Sequence, residues 1–387
     1  MADRLADAVA HLGELIAFPT VSRDGNLELI ARCSDFLGHL GARTRVSVDS
    51  TGAKANLVAS FGPERDGGIL LSGHSDVVPA DETEWTSDPF RLAERDGRLH
   101  GRGACDMKGF IACVLATAPR IAETPLAEPV HIALTYDEET GCLGARALVE
   151  EMAADGPRPR LAVVGEPTSM RIVEAHKGCC EYTTEFHGLE GHGSAPERGV
   201  NAAEAAIRYA ARLLSLAEEL KARAPADSPF DPPHATLNIG RISGGVAHNV
   251  IAGQCALDWE TRPVRWSDRA FVLDAIDAFA EGELLPAMRA VCAEADIRRV
   301  VIGEVEGLEP AAENEARRIV AALTGANGAE TAAFGTEAGL FQSLGMDVVV
   351  CGPGDIAQAH KPDEWVAPEQ LAACLGMLDG LAGRVAA

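Results

Sequence analysis

Several signatures are missing from this chain, and each absence removes a class of function. The ten cysteines form no C-x-x-C pair, and the only two close together, Cys179 and Cys180, are adjacent. Such spacing suits neither a zinc ribbon nor a disulfide framework. No apolar run approaches the roughly 18 residues that a membrane-spanning helix requires, so no membrane partner is expected. The opening stretch "MADRLADAVAHLGELIAF" is amphipathic and carries three acids, unlike a signal peptide. Reduced thiols and a cytoplasmic location are therefore expected. There is no G-x-S-x-G elbow, no H-E-x-x-H pair and no P-loop. Basic residues are scarce: 34 Lys and Arg face 58 Asp and Glu, a net charge of −24. That field repels phosphate backbones, so nucleic acid is not an expected partner.

What is present has an α/β texture. At 387 residues the chain exceeds one ordinary core, which predicts two domains. Short apolar runs bounded by turn residues alternate with helical patterns. Strands are predicted at 55–60, 68–73, 130–136, 161–165 and 346–352, apolar throughout, as in a mostly parallel sheet flanked by helices. Helical periodicity covers 4–17, 26–41, 107–122, 142–153, 312–324, 336–344 and 367–382. Between 181 and 304 the pattern changes. "GQCALDWETR" puts Cys255, Leu257, Trp259 and Thr261 on one face and Gln254, Asp258, Glu260 and Arg262 on the other, as in an open antiparallel sheet. The element order there is β-α-β-β-α-β, that of a small split sandwich. The expectation is a helix-flanked catalytic domain from 1–180 and 305–387, interrupted by an inserted domain at 181–304.

The apolar strands run out into polar residues of similar chemistry. "GILLSG" leads to His74 and Asp76, "VHIALTY" to Asp137, Glu138 and Glu139, and "LAVVG" to Glu166. "GRGACDMKGF" sets Asp106 before a helix, and "CGPGDIAQAHKPDE" carries His360 beyond the last strand. Ligands of doubly wound sheets sit outside the carboxyl ends of the strands. Taken singly, each residue has an ordinary explanation: a loop histidine, a helix cap for Asp106, a solvated run at 137–139, a turn acid before Pro167. Together they do not, because crowded carboxylates repel one another and resist burial unless cations neutralise them. Imidazole with carboxylate, and no thiolate, suits a catalytic zinc or a similar divalent ion. Two ions balance the charge better than one. Asp106, Glu139, Glu166 and a hydroxide match their four positive charges, leaving Glu138 free as a base.

These motifs in order, with "DEETGCLGA", "VGEPT" and "GHGSAP", resemble the dinuclear-zinc metallopeptidase family, which includes deacetylases, desuccinylases, aminoacylases and carboxypeptidases. The resemblance runs along essentially the whole chain. It implies His74 and Glu166 on one zinc, Glu139 and His360 on the other, and Asp106 bridging both beside a cis Asp106–Met107 peptide. It implies that Asp76 hydrogen-bonds His74 and fixes its tautomer, and that Glu138 is the general base and acid. The inserted domain becomes a lid and the contact of a homodimer, with His192 stabilising the oxyanion in a neighbouring subunit's site. Asn249, Arg262 and Thr336 become substrate contacts, Arg262 through a carboxylate. The implied cofactors are two Zn2+ per subunit, with Co2+ able to substitute, and the implied partner is a small N-acyl amino acid. "FGTEAGLFQ" and "CGPGDIAQAHKPDEWV" narrow the implied reaction to removal of acetyl from N2-acetyl-L-ornithine, a step of arginine biosynthesis. A related deacylase, desuccinylase or carboxypeptidase is the alternative, since specificity lives in pocket shape. A silent binding homologue is a second alternative, disfavoured by retention of the base Glu138.

Overall fold

The computed structural model describes residues 2–387, and they divide into two compact units. The first holds the chain up to Ala175, then Pro310–Ala332 and Thr336–Ala387; the second holds His176–Glu309 and Ala333–Gly335. The boundaries thus fall at His176 rather than 181 and at Glu309 rather than 304. Backbone pairing explains the shift. His176 N–H donates to Leu308 O (3.0 Å) and Gly178 N–H to Pro263 O (2.9 Å), so both flanking segments fold with the second unit.

The large sheet has eight strands in the order Arg43–Val48, Ala55–Phe61, Val130–Thr135, Ile69–His74, Leu161–Pro167, Asp347–Gly352, Val173–His176, Glu330–Ala332. The four strands from Val130–Thr135 to Asp347–Gly352 are parallel. Ala55–Phe61 runs antiparallel to both its neighbours, and Val173–His176 antiparallel to Asp347–Gly352. Ile69–His74 and Val130–Thr135 are buried at every position, which is why neither has a polar face. The helices supply matching apolar stripes. Ala8, Leu12, Leu15 and Ile16, then Leu29, Ile30, Cys33 and Leu37, then Leu371, Cys374, Leu375 and Leu378 recur at helical spacing and share one core with the sheet. Lys108–Glu123 is buried over most of its circumference because it packs on both Ala2–Ile16 and Pro368–Arg384. Since the central strands run the same way, their carboxyl ends all open at one edge.

The second unit is a four-stranded antiparallel sheet, ordered Thr236–Gly244, Gln254–Arg262, Cys179–His187, Asp296–Val305, with helices Ala202–Ala222 and Trp266–Phe279. Cys255, Leu257, Trp259 and Thr261 are its buried face, meeting Tyr182 and Phe186 of the next strand. Trp259 sits opposite Tyr182 with ring centroids 4.6 Å apart, a pairing that adds to simple burial. No helix among the described residues is long and apolar enough to cross a membrane.

Candidate metal centre

His74 is the last residue of Ile69–His74, and Glu166 lies inside Leu161–Pro167 rather than in the turn beyond it. These strands are parallel neighbours, so the two side chains emerge together. After Val130–Thr135 the chain turns at Asp137, whose φ of 52° is left-handed, into the short 3-10 helix Glu138–Thr140. Asp106 precedes Lys108–Glu123 without capping it: that helix has no side-chain cap, and the Asp106–Met107 peptide is cis. Its carboxylate is used elsewhere. Oδ1 lies 2.9 Å from His74 Nε2 and Oδ2 lies 3.3 Å from His360 Nε2. Glu139 stands 3.0 Å from His360 Nε2, and Glu166 Oε1 stands 3.7 Å from His74 Nε2. Donor atoms of His74, Asp106 and Glu139 lie within 4.8 Å of one another, as do those of His74, Glu138 and Glu166. The fold therefore gathers the four other candidate ligands and Glu138 around Asp106.

Electrostatics shows what such a cluster needs. Burial is the largest influence on His74 and disfavours its charge, yet Asp106, Asp76 and Glu166 outweigh it and hold its pKa well above the usual value. His360, bonded to Asp106 and Glu139, is pushed up to about 10. Burial raises Glu138, Glu139 and Glu166, and the neighbouring acids raise them further. Asp106 goes the other way: burial opposes its charge, but its bonds to both imidazoles win. In the protein alone, protons supply the positive charge; divalent ions binding here would displace them. Glu166 Oε1 makes the same point, being buried without a hydrogen-bond partner, which is costly unless a cation meets it. Two imidazoles, three carboxylates and no thiolate form a donor set suited to borderline divalent ions. The residues fit a pair of metals.

Asp76 differs in detail from its expected role. His74 Nδ1 hydrogen-bonds the main-chain carbonyl of Asp76 at 3.0 Å, while the carboxylate Oδ1 lies 3.5 Å away. That carboxylate accepts from the Glu138 N–H (3.0 Å), the Glu139 N–H (3.4 Å) and the Ser22 hydroxyl (2.7 Å). Asp76 thus orients the imidazole mainly through its backbone and the 138–139 turn through its side chain. Other supporting groups escaped the sequence reading. The Cys142 thiol donates to Glu138 Oε1 at 3.5 Å, and Lys54 pairs with Asp137. Glu337 is buried, accepting from the hydroxyls of Ser72 and Thr135. Cys142, four residues after Glu138, had a signal in its spacing; Ser22 and Lys54 had none.

In the second unit, His192 and Asn249 are exposed neighbours at the small ladder of Gly191–His192 with Val250–Ile251. His192 Nδ1 lies 2.7 Å from the Ser194 hydroxyl and 3.2 Å from the Ser194 N–H, contacts that orient the ring. Arg262 is paired with Glu260 at 3.1 Å. Thr336, in the first unit, is fully buried, its hydroxyl accepting from Ala338 N–H at 3.0 Å where helix Ala338–Ser343 begins.

Residues 70–384 match the model of peptidase family M20/M25/M40. An acetylornithine deacetylase from Myxococcus xanthus is 41% identical over 383 residues, spanning 98% of this chain and 97% of that protein. Another from Shigella sonnei (strain Ss046) is 37% identical over 377 residues, spanning 95% and 94%. Among solved structures, an M20 family metallo-carboxypeptidase from Sulfolobus solfataricus superposes with a TM-score of 0.75 at 16% identity, over 97% of this chain and 98% of that one. A dinuclear metal binding peptidase of the M20 family from Bacillus subtilis superposes with a TM-score of 0.65 at 17% identity, over 100% and 99%. At such identities these two structures speak for the fold alone.

Proposed function

We propose, from the premise that the chain belongs to peptidase family M20/M25/M40 and is a metal-dependent enzyme acting on an amide, that it deacetylates N2-acetyl-L-ornithine to L-ornithine and acetate. The observation that carries this reading is Asp106 between His74 and His360, one carboxylate oxygen toward each, with Glu138 beside them. The choice of substrate is supported by relatives of that name at 35–41% identity over nearly the full chain.

On this reading His74 and Glu166 would hold one Zn2+ and Glu139 and His360 a second, with Asp106 as a ligand available to both. Such a pair, when bound, supplies Lewis acidity to the amide carbonyl and makes water a stronger acid near neutral pH. Glu138 accepts a proton from the attacking water as its oxygen bonds to the carbonyl carbon. It returns that proton to the departing nitrogen as the C–N bond breaks, releasing acetate and the free amine. Asp76 keeps the base in place through the Glu138 N–H. His192 would donate to the oxyanion, and Arg262 would exchange Glu260 for the substrate carboxylate, with Asn249 as a further contact. Thr336, whose hydroxyl also holds the turn before Ala338, would be a substrate contact from the first unit. The setting we propose is a cytoplasmic homodimer, joined through the second unit, in arginine biosynthesis.

A panel of N-acyl amino acids tests this, using enzyme stripped by chelator and reconstituted with Zn2+ or Co2+. Activity should vanish on stripping, return with up to two ions per chain, and show its highest kcat/KM for N2-acetyl-L-ornithine. Full turnover by the stripped protein removes the metal assignment. A higher kcat/KM for an N-succinyl substrate or a dipeptide removes the substrate assignment.

A further inference from the structure

We propose that Glu364 is a positioning residue of the metal centre, clamping the loop that carries Asp106 to the loop that carries His360; this rests on the metal-site reading above. Glu364 lies four positions after His360 and is 1% exposed. Its Oε1 accepts from Cys105 N–H (2.8 Å) and Asp106 N–H (3.0 Å). Its Oε2 accepts from Gly103 N–H (3.0 Å) and the buried Arg102 guanidinium (2.7 Å). Main-chain bonds join the same two segments: Gly101 N–H donates to Glu364 O at 3.0 Å, and Trp365–Val366 pairs with Arg98–His100.

The stretch from Gly101 to Met107 is a series of turns, so no helix or strand ladder sets the direction of Asp106. Convergence of three backbone N–H groups on one carboxylate does that instead. Asp106 is the residue most sensitive to such support, because each of its two oxygens faces a different imidazole. A small tilt at its backbone nitrogen moves both oxygens at once, whereas metal–ligand distances tolerate only about 0.2 Å. The clamp also links the Asp106 loop to the His360 segment, so the second metal position depends on it twice. A buried carboxylate is costly in general; here three backbone N–H groups and the Arg102 guanidinium offset part of that cost.

The carboxylate's two acceptors cannot be imitated by an isosteric amide. Glutamine has one acceptor oxygen, so serving Cys105 and Asp106 turns its NH2 group toward Gly103 N–H and the Arg102 guanidinium, donor against donor. Serving Gly103 and Arg102 instead leaves the N–H groups of Cys105 and Asp106 unpaired. Aspartate keeps the charge but is a methylene shorter and falls short of the loop.

Titration of metal-free protein with Co2+, followed by visible absorption, reads affinity and coordination without relying on turnover. Thermal unfolding of the same metal-free samples reads the fold. Glu364→Gln and Glu364→Asp should each bind Co2+ about 10–100-fold more weakly, the usual cost of losing support behind a metal ligand, with a changed absorption spectrum. Parent affinity and spectrum in Glu364→Gln overturn the clamp, as they do in Glu364→Asp should the first variant not fold. So does a loss of affinity fully accounted for by a lower folded fraction. If the parent itself binds no Co2+, the metal-site reading has failed, a result distinct from all of these.

Discussion

Replacing Glu138 by Gln separates proton transfer from metal holding at two adjacent, identically charged residues. Gln keeps the length and shape of the side chain, and the backbone anchor to Asp76 Oδ1 at 3.0 Å is untouched. The contact from Cys142 Sγ, at 3.5 Å, can persist to an amide oxygen. Only the ability to take a proton is lost. A positioned acid/base contributes about 10²–10⁴-fold, or about 2.7–5.4 kcal/mol of barrier at about 1.36 kcal/mol per decade. Nor should the fold suffer: burial, and then the neighbouring acids, already oppose ionisation of Glu138, so the neutral amide should leave metal-free thermal stability equal or higher. Glu139→Gln should do the opposite, lowering occupancy of one site because Glu139 sits 3.0 Å from His360 Nε2. Metal content by atomic emission and kcat, measured on both variants, decide between the roles. Loss of a metal from Glu138→Gln while Glu139→Gln keeps two would mean the assignments are exchanged. Geometry leaves that outcome open, since Glu138 lies within 4.8 Å of His74 and Glu166. Parent turnover in Glu138→Gln would refute the base altogether.

Asp76→Ala strips an acceptor from the N–H groups of Glu138 and Glu139 while leaving the His74 bond to the main chain, so Co2+ affinity should fall about 10–100-fold; unchanged affinity contradicts the role. His131 is buried, and burial, with Arg43 adding to it, pushes its pKa from 6.5 to about 4. The unfolded chain therefore binds the extra proton: this stability is whole above pH 6.5 and is lost as pH falls toward 4, by up to about 3 kcal/mol. His131→Asn, which cannot titrate, should flatten that acid limb in urea unfolding, and equal slopes in parent and variant exclude the effect. Gly165→Ala would place a methyl 1.9 Å from Phe110 Cγ inside the core, which should cost about 1–3 kcal/mol or more and lower the thermal midpoint; an unshifted midpoint rules out that contact.

Much of the scaffold was legible because burial writes a period into the chain. The expected helices near 107–122 and 367–382 are Lys108–Glu123 and Pro368–Arg384, since a packed helix must repeat its apolar residues every three to four positions. Cys255, Leu257, Trp259 and Thr261 declared a half-buried strand by alternation alone. Arg43–Val48 left no such mark: it is an edge strand, exposed at most positions, and needs no apolar run. Val173–His176 and Glu330–Ala332, short and at the other side of the sheet, were silent for lack of length. At the site, residue type and place in the chain were enough to raise His74, Asp106, Glu139, Glu166 and His360 as candidates, and the fold brings them together. Which groups hold them was not in the pattern. Ser22 meets the Asp76 carboxylate across 54 residues and Glu364 meets the Asp106 N–H across 258. Periodicity records which side of an element faces the core, a local matter; a loop's hydrogen-bond partners depend on which distant segments the closed fold brings within about 3 Å, and only the tertiary structure decides that.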